Sequence, residues 1–557
     1  MKKLPILFAA VCFLVGASAC GGRDPQTEDG KDILRIFMIE GNYLEGTKKD
    51  SVWEKIEEET NVSMRFEGAV NNGDYYTRLN PMLNSGKDMP DVFFSCPDST
   101  DHAYWKWANQ RTGILYSIDE LLLGREDEYP WLSKVIYSEK YSNIRYEGVH
   151  TLIPAPAQDS GWAIYYRGDW LVNIGYYDLD ENGNKIPKTP ETLEEFEDVC
   201  IKFGTLDPDG NGVNGDVWAM APQNSIHCLN PLYHAFGVPV DWDIDADGNV
   251  SFMYTDEKFK DFLSWFGGLY ERGVIYNQFY TLNESGQNKM FEEGKSGILI
   301  SNGGENCIWT AQPCEEIFGY GKVICGSAPV GTAELGAEGV GGFSDWGGWW
   351  GGFSITKACE NPDAALRLFD YLLSPEGGML KNFGIEGVHY NLVEGKIVAN
   401  LENRAAEPEN TFKSIEDLEG NSVLRGRYRM ANLIGGAPID WETYEKTGEF
   451  KNFRDNATLS LRYAPLMDLQ DTLRTEYTTN LLNFTDYAAT IYKKKLIVQD
   501  KSSTYALHAI VGRKNLTSDW TAMMKECDDA GYKETCLAIS QAASDAGILD
   551  KLKGEQG

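Results

Sequence analysis

Oxygen donors recur at alternate positions in one stretch of this chain, DPDGNGVNGD, from Asp207 to Asp216. Asp207, Asp209 and Asn211 occupy positions 1, 3 and 5 of a calcium-loop spacing, Gly212 takes the sharp turn at 6, and Val213 offers its carbonyl at 7. A hard cation is held by such oxygens folded around one point, and Asp216 closes the far side. Position 12 is Trp218 in place of a bidentate glutamate, so the set departs from an EF-hand. The expected cofactor is a structural calcium ion; the competing reading is a bare Asp/Gly turn. Two neighbouring turns start the same way, at Asp178, Asp180, Asn182, Gly183 and at Asp243, Asp245, Asp247, Gly248. Neither has an acid in the following five or six residues, so both are expected to be hairpin turns without metal. The middle loop also matches G-x-G-x-x-G at Gly210, Gly212 and Gly215, but it follows a helix and its carboxylates repel a pyrophosphate, which excludes dinucleotide binding.

A second stretch, GGFSDWGGWWGG from Gly341 to Gly352, separates tryptophans by glycine pairs. Such a segment makes no regular helix face, because glycine destabilises a helix and contributes no packing side chain. It can present flat indole faces from a loop. A pyranose has one face of C–H groups; burying it on an indole removes apolar area from water while neighbouring carboxylates and amides bond its hydroxyls. Asp345, Trp346, Trp349 and Trp350 are therefore candidate ligand contacts, the alternative being that one or two tryptophans plug a core.

These groups must be positioned by regular elements. Ahead of the acidic loop, Ala163–Arg167 has the composition of a partly buried strand. The spacing then predicts a helix capped by Thr192, with Glu195 reaching back to the cap, a stripe of Leu193, Phe196, Val199 and Phe203, and Gly204 as terminator. Near the amino terminus, an apolar strand over Ile33–Ile39, a helix near Ser51–Glu59, a strand at Val62–Phe66, a helix near Tyr75–Leu83 and a strand at Val92–Phe94 alternate as parallel βα units do. Asn42 and Tyr43 follow the first strand, and Trp105 and Trp107 follow the third, at ends where ligands sit in open α/β sheets. Thr255 is expected to cap a helix with Phe259, Phe262, Leu263 and Phe266 inward, stopped at Gly273; Asn361-Pro362 starts another that Ser374-Pro375 ends. Strands are expected at Ser296–Ser301 and Gly352–Thr356, with a mainly helical pattern after Gly395.

At 557 residues the chain exceeds the size at which single cores stop growing, so two or more lobes are expected. The net charge of −33, from 84 acids against 51 bases, argues against nucleic acid or an anionic membrane surface as partner, since phosphate contacts need clustered Lys and Arg. Residues 1–20 stand outside the fold: Lys2 and Lys3 are a positive n-region, Leu4–Val15 an apolar core, and Gly16–Cys20 a small-residue cleavage site ending in cysteine. This resembles a bacterial lipoprotein signal with Cys20 as the lipidated residue; a plain secretory peptide is the alternative. Residues 21–32 are expected to be a flexible tether. Nine cysteines follow Cys20 without a C-x-x-C, which gives no zinc site; Cys307, Cys314 and Cys325, or Cys527 with Cys536, either pair or stay as buried thiols. The six histidines are scattered and support no cluster.

Six landmarks in one order, WEKIEEETNVSMRFEG, LNPMLNSGKDMPDVFF, IYYRGDWL, PKTPETLEEFEDVCIKFGTLDPDGNG, FLSWFGGLYERGVI and LFDYLLSPEGGMLKNFGIEGVHY, resemble those of extracellular solute-binding proteins of the carbohydrate type. They are similar in particular to the large lipoprotein branch that serves ABC oligosaccharide importers. The resemblance implies an α/β, two-lobe periplasmic-binding-protein-like fold with a hinge and an inter-lobe cleft, and a calcium loop where Asp207 lies. It implies a first lobe over 33–160 and 325–390 and a second, more helical lobe over 161–324 and 391–557. Trp162, Tyr165 and Arg167 then lie on the strand entering the second lobe, and Glu386 receives sugar hydroxyls or bridges the lobes. For Arg167 an internal salt bridge is the equal alternative. The expected protein is a monomeric receptor, lipid-anchored on the outer face of the bacterial membrane, that passes an oligosaccharide to an ABC permease. A hydrolase has aromatics and carboxylates too, but no G-x-S-x-G, H-E-x-x-H or P-loop is present and no carboxylate pair is singled out, so no catalytic residue is expected. A peptide receptor on the same scaffold is the other alternative.

Overall fold

The computed structural model describes residues 30–39, 51–69, 72–95, 113–138, 149–156, 162–239, 241–302, 322–341, 349–388, 390–393, 396–399, 489–545 and 547–555. In chain order the strands are β1 Asp32–Ile39, β2 Val62–Ala69, β3 Val92–Ser95, β4 Ile153–Pro156, β5 Trp162–Arg167, β6 Tyr177–Leu179 and β7 Lys185–Pro187. They continue with β8 Trp218–Met220, β9 Trp242–Ile244, β10 Val250–Phe252, β11 Ser296–Asn302, β12 Val323–Gly326 and β13 Trp349–Ile355.

The amino-terminal βα alternation forms a five-stranded sheet of order β2-β1-β3-β13-β4. β1 runs parallel to β2 and β3, while β13 is antiparallel to β3 and β4. Helix Ser51–Thr60 links β1 to β2 and buries Val52, Trp53 and Ile56; helix Asn72–Ser85 links β2 to β3. Helices Pro362–Leu373 and Pro375–Phe383 complete this lobe, and Ser374 ends one and caps the next, accepting from the Gly377 N–H at 3.0 Å. Leu34, Ile36, Val92, Phe353, Leu368 and Leu372 share its core.

The second sheet has the order β12-β5-β11-β8, with β5 antiparallel to β11 and β12 and β11 parallel to β8. β12 belongs to this sheet and Ala328 to its core, so the chain is still in the second lobe past residue 325, where the sequence placed the return to the first. The core is rich in rings: Tyr233 lies 4.6 Å from Phe262 and 5.2 Å from Phe259, and Trp170 lies edge-on to Phe203 at 5.5 Å. Helices Ala489–Ile510, Ser518–Asp529, Tyr532–Asp545 and Ile548–Glu555 wrap it, contributing Val498, Ile510, Trp520 and Ile539. Three side-chain bonds clasp them on: Trp520 Nε1 to Glu257 Oε1 (3.0 Å), Ser540 Oγ to the Gly248 carbonyl (2.7 Å), and Gln499 Nε2 to Asp241 Oδ1 (3.3 Å).

Several local expectations shift. Thr192 caps helix Leu193–Thr205 by accepting from Glu195 N–H at 3.2 Å, but Glu195 reaches one residue further back, to the Glu191 N–H at 2.8 Å. Gly204 lies inside that helix, and a Cβ there would stand 2.6 Å from Val274 Cγ1, so glycine is required for close packing and does not terminate the helix. Thr255 closes a 3-10 turn, donating to the Phe252 carbonyl at 2.8 Å, and the following helix starts at Phe259 after Lys258. Cys325, Cys527 and Cys536 are free thiols, as are Cys200, Cys228 and Cys359, so the Cys527–Cys536 bridge is not formed; Cys307 and Cys314 lie outside the described residues. Burial pushes the Cys325 thiol up to about 12, which makes it unreactive.

Candidate functional site

Strand direction defines where a ligand can sit. β13 runs against β3 and β4, so the carboxyl ends of β1, β2, β3 and β4 and the start of β13 lie along one edge of the first sheet. Trp349, the first residue of β13, pairs directly with Pro156, the last of β4. In the second sheet Trp162, at the start of β5, pairs with Asn302 at the end of β11, and Ile164 with Gly326 at the end of β12. Only residues 157–161 separate the end of β4 from Trp162. Six residue steps reach at most about 20 Å, so the start of β5 stands within that distance of the end of β4.

Trp349 and Trp350 open β13 and Trp162 opens β5, which places the backbones of these three candidates on those two edges. Asn42, Tyr43, Trp105, Asp345 and Trp346 lie outside the described residues, as does Cys20. Glu386 is exposed in the segment after helix Pro375–Phe383. Tyr165 is fully buried within β5. Arg167, at the other end of that strand and 5% exposed, donates to Asp169 from Nε (3.1 Å) and Nη2 (3.0 Å) and covers the Trp170 ring at 4.9 Å. The internal salt bridge, one of its two anticipated uses, is formed.

The acidic loop is built around Asn211. Its backbone N–H donates to Asp207 Oδ1 (3.0 Å) and Asp209 Oδ1 (3.3 Å), and its side-chain Nδ2 donates to Asp209 Oδ2 (2.9 Å) and Asp216 Oδ2 (2.8 Å). Gly212 N–H adds a bond to Asp207 Oδ2 at 2.9 Å, and Gly212 itself adopts φ +90°, open to glycine without strain. The Asp209 carboxyl is raised above its ordinary range, first by partial burial and then by Asp207 and Asp216, against a lowering by the Asn211 N–H. Three crowded acids of this kind suit a divalent cation, whose charge would relieve their repulsion. Among the described residues no three His, Cys, Asp or Glu side chains converge into a ready-made metal centre, and here the amide of Asn211 stands among the carboxylates.

The other two acidic turns are closed hairpins. Asp180, between β6 and β7, accepts from the N–H of Asn182 (2.9 Å) and Asn184 (2.7 Å) and from Asn184 Nδ2 (2.9 Å). Asp245, between β9 and β10, accepts in the same way from Asp247 (3.0 Å) and Asn249 (2.8 and 2.7 Å). Each uses one carboxylate to tie its own backbone and gathers no second acid onto those donors.

Two contributions escaped the sequence reading. Asn173, on helix Gly168–Asn173, donates from Nδ2 to the Pro208 carbonyl at 2.8 Å and fixes the acidic loop to the element that follows β5. Gln223, Asn224 and Ser225 come after β8, on the same edge as Trp162. Neither carries a local pattern; only the tertiary fold brings them to these places.

The model of the family described as bacterial extracellular solute-binding protein matches residues 41–379. The chain is similar to the polygalacturonan/rhamnogalacturonan-binding protein YtcQ of Bacillus subtilis (strain 168), 24% identical over 432 residues that cover 74% of this chain and 79% of the relative. It is also similar to lipoprotein LipO of the same organism, 28% identical over 237 residues, 41% of this chain and 44% of the relative. Among solved structures, the S. pneumoniae ABC-transporter substrate-binding protein FusA, an EF-hand mutant in complex with fructo-nystose, superposes with a TM-score of 0.64 at 16% identity, covering 94% of this chain and 100% of that one. That likeness shows the fold, two α/β lobes of the periplasmic binding type. With the family model spanning more than half of its length, the chain belongs to the bacterial extracellular solute-binding protein family.

Proposed function

We propose that this chain is the lipid-anchored, substrate-binding subunit of an ABC importer, capturing an oligosaccharide between its lobes and presenting it to the permease. The observation that carries the reading is the position of Trp162, Trp349 and Trp350 at the sheet edges joined by the short 157–161 link, in a member of a family of binding proteins. The names of YtcQ and of the FusA complex support a saccharide as the ligand class. Stacking on indole supplies affinity that is indifferent to small changes in the sugar, and polar groups along the edges supply selectivity. Contacts to both lobes make the closed form the better-bound one, so ligand shifts the population toward closure and forms the surface that the transporter reads. Cys20 would carry the lipid and residues 21–32 the tether, a reading that the likeness to a lipoprotein supports. No helix among the described residues is long and apolar enough to cross a membrane.

A thermal-shift screen of oligosaccharides tests the proposal. A receptor gains stability with one class of glycan, contracts on scattering and returns the glycan intact. Shorter products would instead make it a hydrolase, and stabilisation by peptides with none by sugars would make it a peptide receptor.

Calcium in the loop fits the donor set of Asp207, Asp209, Asn211, Asp216 and the Val213 carbonyl. The ion would neutralise the crowded carboxylates and brace the second lobe through Asn173, with no part in capture. At a hundredfold excess over Kd it would add about 2.7 kcal/mol. Chelation is therefore expected to lower the melting temperature of sugar-free protein, and Asp209→Ala to remove that response; an unchanged melting curve in EDTA rejects the ion.

A further inference from the structure

Gln223, Asn224 and Ser225 continue from β8 on the carboxyl edge of the second sheet, the edge that also carries the end of β11 and the start of β5. Asn224 and Ser225 are exposed. Their backbone is anchored by a later segment: Gln223 N–H donates to Gln287 Oε1 at 2.9 Å, and Asn224 N–H donates to the Leu282 carbonyl at 2.8 Å. The Ser225 carbonyl accepts from Cys228 N–H at 3.3 Å and closes the turn. Gln287, on helix Glu284–Glu292 and 2% exposed, also donates from Nε2 to the Ile300 carbonyl at 2.9 Å, two residues before β11 ends. A backbone N–H only donates and a carbonyl only accepts, so these two partners fix which way the amide points. The Cys228 thiol adds a longer bond, 3.8 Å, to the same Oε1. One buried side chain thus ties the loop to the strand whose last residue pairs with Trp162.

We infer that Gln287 is a positioning residue of the sugar site, holding this loop so that the side chains of Asn224 and Ser225 bond ligand hydroxyls. That role rests on the receptor function proposed above. The backbone donors of residues 223 and 224 are already spent, so the loop has side chains to offer. Among the described residues neither of those two side chains is hydrogen-bonded, and Ser225 stands at the cap position of the 3-10 turn Ile226–Leu229 without capping it. An amide presents a donor and an acceptor side by side and a hydroxyl serves as either, the pattern that adjacent ring hydroxyls call for. An indole face accepts many sugars; polar groups fixed in advance tell one arrangement of hydroxyls from another and need no ordering on binding.

Hydrogen exchange on the sugar-free protein and titration calorimetry with maltotriose, nystose and trigalacturonate test the two halves of this role. Gln287→Met keeps an unbranched chain of similar length and removes both amide bonds; Asn224→Ala and Ser225→Ala change only exposed side chains. Exchange at the Gln223 amide should rise about five- to tenfold in Gln287→Met, with β5 and β11 still protected. Asn224→Ala and Ser225→Ala should each bind the preferred glycan about two- to tenfold more weakly, and Gln287→Met by a similar factor. In the Asn224→Ala/Ser225→Ala background Gln287→Met should cost almost nothing more, because it acts through those side chains. A merely structural defect would weaken binding by the same factor in both backgrounds, and that additive result overturns the inference, as does unchanged exchange at Gln223. Should Gln287→Met fail to fold, the two surface variants decide, and unchanged affinity in both overturns it. If no glycan binds the wild type, the receptor reading fails and takes the sugar contacts with it, while faster Gln223 exchange still upholds Gln287 as the anchor of the loop, so the two failures are distinct.

Discussion

The two lobes solve the same packing problem from different materials. The first is a mixed sheet, parallel but for β13, with a largely aliphatic core, in which helices of the neighbouring sequence cover their own strands and ion pairs such as Arg125–Asp363 (2.8 Å) fasten the returning segment. The second has a smaller sheet and a core of stacked rings, completed by helices that begin at Ala489, almost two hundred residues after Ser296–Asn302. Its hairpins and acidic loop act as fasteners: Gly248 of one turn is gripped by Ser540, and Pro208 of the loop by Asn173. The difference teaches that the second lobe takes the apolar area completing its core from a distant segment and uses point contacts to hold that segment in register, whereas most of the first core comes from its own βα units.

The comparison is open to direct attack. The largest effect is expected from ending the chain at residue 488, which strips Val498, Ile510, Trp520 and Ile539 from the second core. Hydrogen exchange should then show β5 and β11 unprotected and β1 and β3 protected; protection retained in both lobes would refute the dependence. Next comes pH. Burial holds the His234 imidazole down to about 4 from 6.5, so the unfolded chain takes up a proton through that window that the folded lobe refuses. Second-lobe stability is then full above 6.5 and falls by about 3 kcal/mol as pH drops to 4. Denaturant midpoints across that range check the slope, and His234→Phe should flatten it. Gly204→Ala is expected to cost about 1–3 kcal/mol through its clash with Val274, although alanine in an open helix site would gain up to about 1 kcal/mol. Equilibrium unfolding decides the sign. The smallest effect, about 1 kcal/mol, is expected for Trp520→Phe, which keeps the ring packing and loses the bond to Glu257. A loss there equal to that of the truncation would mean the clasp, not the apolar area, carries the docking.

What the sequence disclosed follows the same division. The β1 to β3 alternation, the Thr192 and Asn361 caps and the two closed acidic turns were readable because each depends on residues within a few positions of one another. Gly204 was misread as a stop signal because Val274, the reason for it, lies seventy residues away. Thr255 has the composition of a cap but is spent on a preceding turn, where its hydroxyl also hydrogen-bonds that of Tyr532, 277 residues on (3.0 Å). For the site, the tryptophan spacing marked candidates, and only strand direction tells which sheet edge Trp162, Trp349 and Trp350 stand on. Arg167 offered the sequence no way to decide between a ligand and its neighbour Asp169.

Pro156 and Trp349 are paired neighbours, so two of the links between the lobes leave the first sheet about 5 Å apart. Straps that close together act mechanically as one narrow spine. Two lobes joined through such a spine turn about it more easily than they slide past one another.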